Sequence, residues 1–243
     1  MTRERADRLL VDLGFFDSRA AARAAIEAGG VRADGRKVLR PAQKLARGAR
    51  IEAVPAHPFV SRGGVKLTHA IKAFGIEVAG RHCLDIGAST GGFSDVLVQA
   101  GACHVTAVDI GRGQFHERLR ADKRITVHEG LDARRLEPAH MPAPPGLIVV
   151  DVSFISLAKL LASPLALGAA QGELIALFKP QFEIGRAHIG KGGLVRAGAP
   201  VDDAAEALET WLAGAGWPVQ AWTHSPVPGG DGNQERLLHA RRA

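Results

Sequence analysis

Apolar residues recur with a helical period at the start of this chain and with shorter periods beyond it. Ala6, Leu9, Leu10 and Leu13 predict a short helix that Gly14 would stop. Asp17-Ser18 opens a second helix, with Ala22, Ala25 and Ile26 on one side, Arg19 and Arg23 on another, and Gly29-Gly30 at its end. Val31 to Val38 then reads as a hairpin turning at Asp34-Gly35, and Ile51 to Val54 as one more short strand. Pro55-Ala-His-Pro58 reads as linker. The pattern predicts a small α+β domain over residues 1–54, a linker over 55–64, and a second domain over 65–243.

In that second domain, Val65, Leu67, Ile71 and Phe74 form one helical face up to Gly75. Short apolar runs then alternate with helical stretches: 82–86, 104–108, 125–128, 147–150, 173–178 and 219–224, followed by a last hairpin. Such alternation predicts an α/β fold, a mostly parallel sheet with helices on both faces. Reactive groups should collect beyond the carboxyl ends of its strands. Lys66 opens the helix before the first strand, Asp151 and Lys179 directly follow apolar strands, and Glu235 follows Gly229-Gly-Asp-Gly-Asn233. One such residue would merely mark where a strand reaches water. Four expected on the same rim point to chemistry.

Composition narrows the class. A chain with 46% hydrophobic and 23% charged residues reads as globular, and no apolar run approaches the roughly 18 residues of a membrane span. The first residues have no apolar signal core, so a cytoplasmic location is expected. Cys83 and Cys103 have no metal-ligand spacing and read as buried small hydrophobes; no metal is expected. Charge is uneven. Residues 1–60 hold 12 Lys and Arg against 7 Asp and Glu, a net of +5, while the remaining 19 against 18 give +1. The excess in the first quarter suggests a nucleic-acid contact there.

The candidate chemistry centres on His82-Cys-Leu-Asp-Ile-Gly-Ala-Ser-Thr-Gly-Gly-Phe-Ser-Asp95. It reads as strand, glycine turn and helix start. Gly91 and Gly92 let backbone pass close to a ligand, and the free N–H groups of the next helix face that turn. Asp109 ends the following strand, placed to accept hydrogen bonds from a ribose. The spacing Gly87, Gly91, Gly92 does not match G-x-G-x-x-G, which argues against a nicotinamide or flavin enzyme. The turn with Asp109 resembles the cofactor-binding turn of methyltransferases that use S-adenosylmethionine (SAM).

Two wider resemblances follow. Arg5-Ala-Asp7-Arg-Leu9-Leu10, Gly14, Ser18-Arg19, Arg23, Ile26, Gly30-Val31, Asp34-Gly35 and Lys37-Val38 resemble the RNA-binding domain first described in ribosomal protein S-four. It implies RNA contacts by Arg19 and Arg23, with Arg5, Lys37 and Lys44 behind them and Arg62 in the linker. Ser61-Arg62-Gly-Gly-Val-Lys66, Asp85 to Phe93, Asp151-Val-Ser-Phe-Ile-Ser156, Lys179-Pro-Gln-Phe-Glu183 and Lys191-Gly-Gly together resemble the TlyA family. Its members join that small domain to an FtsJ-like (RrmJ-like) methyltransferase, and some are called haemolysins. One departure is Phe59, where members often carry Tyr or Trp.

The resemblance implies a Rossmann-like domain with a seven-stranded, mostly parallel sheet. It also implies methyl transfer from SAM to a ribose 2′-hydroxyl of ribosomal RNA, with cytidine the expected nucleotide, in the small or large subunit or both. Lys66, Asp151, Lys179 and Glu235 match the family's catalytic tetrad, with Lys179 the expected base. Gly87, Ser89, Gly91 and Gly92 would line the methionine part of SAM, Asp109 would meet its ribose and Asp132 its adenine. Asp85, Ala88, Thr90, Phe93, Ile110 and Leu131 are also expected around the cofactor. The rival readings are a non-catalytic RNA-binding protein, which has no reason to keep the tetrad, and a membrane-active haemolysin, for which no inserting segment stands out. The glycines of residues 182–196 suggest a loop that orders over substrate.

Overall fold

The computed structural model describes residues 3–243. They form two compact units that divide between Pro58 and Phe59.

The small unit runs β1 (Arg3–Arg5), α1 (Ala6–Asp12), α2 (Arg19–Glu27), β2 (Val31–Ala33), β3 (Arg36–Lys37), β4 (Lys44–Ala46) and β5 (Ile51–Ala53). The Ser18 hydroxyl accepts the Ala21 N–H at 3.2 Å and so caps α2. Asp34 and Gly35 both have positive φ, which the tight hairpin requires. Leu9, Leu10, Ala22, Ala25, Ile26, Val31 and Val38 fill the core. The antiparallel pair β1–β4 had no signal in the sequence. Its strands, Arg-Glu-Arg and Lys-Leu-Ala, bury only Leu45 and carry no alternation to read.

The large unit opens with α3 (Gly63–Phe74), ended by Gly75 at φ +66. It continues β6 (His82–Ile86), α4 (Gly92–Gln99), β7 (His104–Asp109), α5 (Glu117–Arg120), β8 (Ile125–Glu129), β9 (Leu147–Val150) and α6 (Leu157–Ala166). β10 (Glu173–Phe178), α7 (Pro180–Glu183), α8 (Val201–Gly214), β11 (Val219–His224) and β12 (Arg236–Arg241) complete it. The expected seven-stranded sheet has the order β11-β12-β10-β9-β6-β7-β8. β12 runs opposite in direction to the other six strands. Successive strand residues point to opposite faces. Cys83, Val105, Leu147, Val149, Ile175 and Leu177 meet α3 and α4. Leu84, Ile86, Ile148, Val150, Leu174 and Phe178 meet α6 and α8. The β9 and β10 side chains are apolar on both faces because both faces are covered.

Two expectations change. The division falls after Pro58, so residues 59–64 belong to the large unit instead of a linker reaching 64. Phe59 and Val60 pack on its core, and Gly64 makes room for the ring, since a Cβ there would lie 2.4 Å from Phe59 Cγ. Cys103 is exposed, unlike buried Cys83. It stands one residue before β7 and so outside the sheet's covered surface.

Candidate active site

β6 delivers the chain to Gly87, where a Cβ would lie 2.2 Å from the carbonyl oxygen of Asp151. Ser89 and Gly91 also take positive φ, so the backbone curls at the base of a cleft. Gly91 occupies the N-cap of α4 at φ +92 and, being glycine, supplies no side-chain cap. The Gly91 position packs on Leu119 and Phe115 and does not line the cleft. The cleft measures about 570 Å³ and is lined by Gly87, Ser89, Asp109, Ile110, Leu131 and Asp132 of the expected residues. Val152, Phe154, Ile155 and Leu160 add apolar walls, and Gln114 and Ser153 polar ones, that the sequence had not assigned.

Asp109 is fixed by two backbone donors, Ser89 N–H at 2.7 Å and Gly111 N–H at 2.6 Å. Its carboxylate keeps acceptor capacity for a ligand hydroxyl. Asp132 accepts the Arg134 N–H at 3.0 Å and pairs with its guanidinium at 2.5 Å. That guanidinium holds the Asp132 carboxyl down at about 2. Asp85 lies wholly buried beneath the turn. Ser94 Oγ donates to Asp85 Oδ2 at 2.6 Å, while Oδ1 has no partner among the described residues. Burial pushes the Asp85 carboxyl up to about 7, with Asp151 and Asp109 adding to the shift and Ser94 opposing it.

The four rim residues do converge, as two ion pairs. Lys66 on α3 is 8% exposed and forms a short charged hydrogen bond with Glu235, which is 2% exposed at the entry to β12. Gly229 brings the last loop close to it, since a Cβ there would lie 2.8 Å from Glu235 Oε1. Lys179 follows β10 and lies 2.6 Å from Asp151 Oδ1, and it donates to Ser153 Oγ at 3.1 Å. Two smaller clefts interleave the pairs. One of about 240 Å³ holds Lys66 and Asp151 with Ser61, Arg62, Ala88, Thr90, Gly92 and Phe93. Another of about 410 Å³ holds Lys179 and Glu235 with Phe154, Gln181, Phe182 and Asp231. Phe154 is 91% exposed and adopts φ +69. An outward aromatic in the quoted Asp-Val-Ser-Phe-Ile-Ser stretch was the available signal for it. Ile189, Gly192 and Gly193 of the 182–196 stretch also line this cleft.

In the small unit, Asp7 is fully buried and organises two of the expected RNA contacts. Arg5 grips it in a fork at 2.9 and 3.0 Å, and Arg19 Nη2 reaches it at 2.8 Å. The Arg5 guanidinium, with help from Arg19, holds the Asp7 carboxyl far below the usual range. Arg23 faces Glu27 at 4.0 Å, Lys37 lies against Gly29, and Lys44 is exposed on β4. Arg62 belongs to the large unit and lines the smallest cleft.

Known proteins agree with this architecture. The FtsJ-like methyltransferase family matches residues 59–242, and the S4 domain matches residues 4–51. The Mycobacterium tuberculosis 16S/23S rRNA (cytidine-2′-O)-methyltransferase TlyA is 41% identical over 98% of this chain and 90% of its own. The Campylobacter jejuni 23S rRNA (cytidine-2′-O)-methyltransferase TlyA is 38% identical over 74% of this chain and 70% of its own. A candidate haemolysin of known structure from Streptococcus thermophilus superposes with TM-score 0.77 at 36% identity, covering all of this chain and 90% of that one.

Proposed function

The chain belongs to the TlyA family of FtsJ-like methyltransferases with an S4 domain, and from that premise we propose how its residues methylate a ribose 2′-hydroxyl of ribosomal RNA. The large unit is a SAM-dependent methyltransferase. Its cleft suits that cofactor on three counts: its size, the glycine at 87 whose Cβ would collide with Asp151, and the fixed acceptor Asp109. Gly87 and Ser89 would hold the methionine end, Asp109 and Ile110 the ribose, and Leu131 and Asp132 the adenine edge. Bound SAM supplies a methyl group on a sulfonium, a good electrophile.

The observation that carries the reading is the convergence of Lys66–Glu235 and Lys179–Asp151 around adjoining clefts. A ribose hydroxyl is a poor nucleophile, so alignment and proton removal are the remaining tasks. Lys179 takes the hydroxyl proton onto Nζ from its neutral form. Asp151 Oδ1 and Ser153 Oγ then receive hydrogen bonds from the ammonium. The Lys66–Glu235 pair orients the ribose from the other side, and Phe154 offers its face to a base turned out of its stack. The two named relatives act on cytidine, and cytidine in the small or large ribosomal subunit is the substrate assigned here. Proton removal falls to lysine. No helix of the described residues is long and apolar enough to cross a membrane; we assign the enzyme to the cytoplasm, where ribosomes are modified. Arg5, Arg19, Arg23, Lys37 and Lys44 grip phosphates, and Arg62 does so beside the site. Methylation assays on ribosomal subunits with labelled SAM, followed by nucleoside mapping, test the reading.

A further inference from the structure

The loops that carry Asp151 and Lys179 are also tied at their far ends. One leaves β9 at Asp151 and enters α6 at Leu157; the other leaves β10 at Lys179 and closes in the single turn α7. Near the strands, Lys179 bridges to Asp151 and Ser153. Midway, the rings of Phe154 and Phe182 stand 5.1 Å apart. At the far end, Glu183 Oε1 accepts the Leu157 N–H at 2.9 Å. Ser156 occupies the N-cap position of α6, yet its hydroxyl makes no capping bond. Glu183 supplies the cap from 26 residues away. A carboxylate is favoured at that end of a helix.

This cap forms against the cost of desolvation, because burial pushes the Glu183 carboxyl up and only the Leu157 N–H opposes it. Between the two ties the backbone at Phe154 adopts φ +69, which disfavours any residue with a Cβ. The Phe154 ring is too exposed for its own burial to hold that conformation. Anchors on either side must do so. Asp151 is anchored by its N–H to Ile86 O at 2.9 Å, and Leu157 by Glu183.

We propose that Glu183 is a positioning residue for methyl transfer. By capping α6 it fixes the path of residues 151–156, and through them the Asp151 carboxylate against Lys179 and the Phe154 ring at the cleft mouth. Glu183 lines none of the three clefts, so it acts through these residues only. The inference rests on the tetrad reading given above.

The test compares Glu183→Ala with Glu183→Gln in the full-length protein, beside Lys179→Ala. Glutamine keeps an acceptor oxygen and gives up the charge. With alanine, hydrogen exchange of residues 151–158 accelerates about fivefold, the effect of losing a cap. In the same variant kcat falls roughly tenfold to 100-fold through misplacement, more steeply than SAM affinity, which changes less than about fivefold. With glutamine, both exchange and kcat return to within about threefold of wild type. Unchanged exchange in Glu183→Ala, or faster exchange at wild-type kcat, overturns the proposal. A Gln variant as impaired as the Ala variant also overturns it, by showing that charge or a proton matters instead of the cap. If Glu183→Ala does not fold, the glutamine variant alone decides, since the cap predicts near-normal kcat. Full activity in Lys179→Ala would instead remove the tetrad reading, and exchange would still report on the cap.

Discussion

In the small unit the carboxylate of Asp7 is buried while its partners Arg5 and Arg19 keep half-exposed side chains. In the large unit Lys66 and Glu235 are both buried, and Lys179 meets Asp151 at a cleft wall. The first arrangement uses one negative charge to hold two guanidiniums in place and leaves their outer edges to solvent, within a segment of net charge +5. The second balances each lysine against one carboxylate and keeps the tips from bulk water. Outward cations suit attraction to a phosphate backbone. Paired, enclosed amines suit a proton transfer at one atom. The contrast teaches that the number of ion pairs says little about purpose; which partner is buried says more.

The contrast breaks most visibly at Lys179. Lys179→Ala should lower kcat for methyl transfer by about 10²–10⁴-fold, the usual worth of a positioned base, while SAM affinity measured by calorimetry changes little. Near-normal turnover would remove Lys179 as base. Next comes Lys66. Its removal leaves the Glu235 carboxylate buried without a cation and should cost about 3–5 kcal/mol in urea unfolding of the large unit. Replacing the pair by Lys66→Met with Glu235→Leu should recover most of that stability and none of the activity. A double variant as unstable as the single one would show that the pair is not the cause.

Asp85 sharpens the picture of the large unit's buried charge. Its folded-state value near 7 lies above the unfolded 3.8, so the native state binds more protons between those limits. Stability should therefore fall as pH rises from about 4 to 7, and Asp85→Asn should flatten that slope in thermal melts. An unchanged slope would place the titrating group elsewhere. The smallest effect is expected in the small unit. Arg19→Ala with Arg23→Ala leaves Arg5 on Asp7, so the fold should persist. RNA affinity should drop, and the slope of log affinity against log salt should shrink by about one for each phosphate no longer neutralised. An equal slope would mean these arginines touch no phosphate.

Much of this was legible in the sequence, for physical reasons that differ by region. β9 and β10 read as strands because both faces are covered and their runs are apolar throughout. The glycine turn read correctly because Gly87 has a steric requirement that other residues cannot meet. The convergence of Lys66, Asp151, Lys179 and Glu235 was legible because Asp151 and Lys179 follow apolar strands, Glu235 follows a glycine loop and Lys66 stands in the first turns of α3. Burial beyond the strands was less legible: Cys103 looked like a core residue, and standing one position before β7 was enough to expose it. Phe59 looked like linker because the space that receives its ring is made by Gly64, and an absent side chain leaves no mark in a hydrophobic pattern. Glu183 was hidden for a similar reason, since its partner is a backbone N–H in another loop. The arginines were visible as charges, and the buried Asp7 that holds two of them was not visible as their anchor.

The most direct measurement is the position of the transferred methyl group. Ribosomal subunits from cells lacking this methylation are incubated with the full-length protein and labelled SAM, and the RNA is digested and resolved by mass spectrometry. The account predicts label in 2′-O-methylcytidine, absent when Lys179 is alanine. Label on a base, or none on RNA from either subunit, would contradict it.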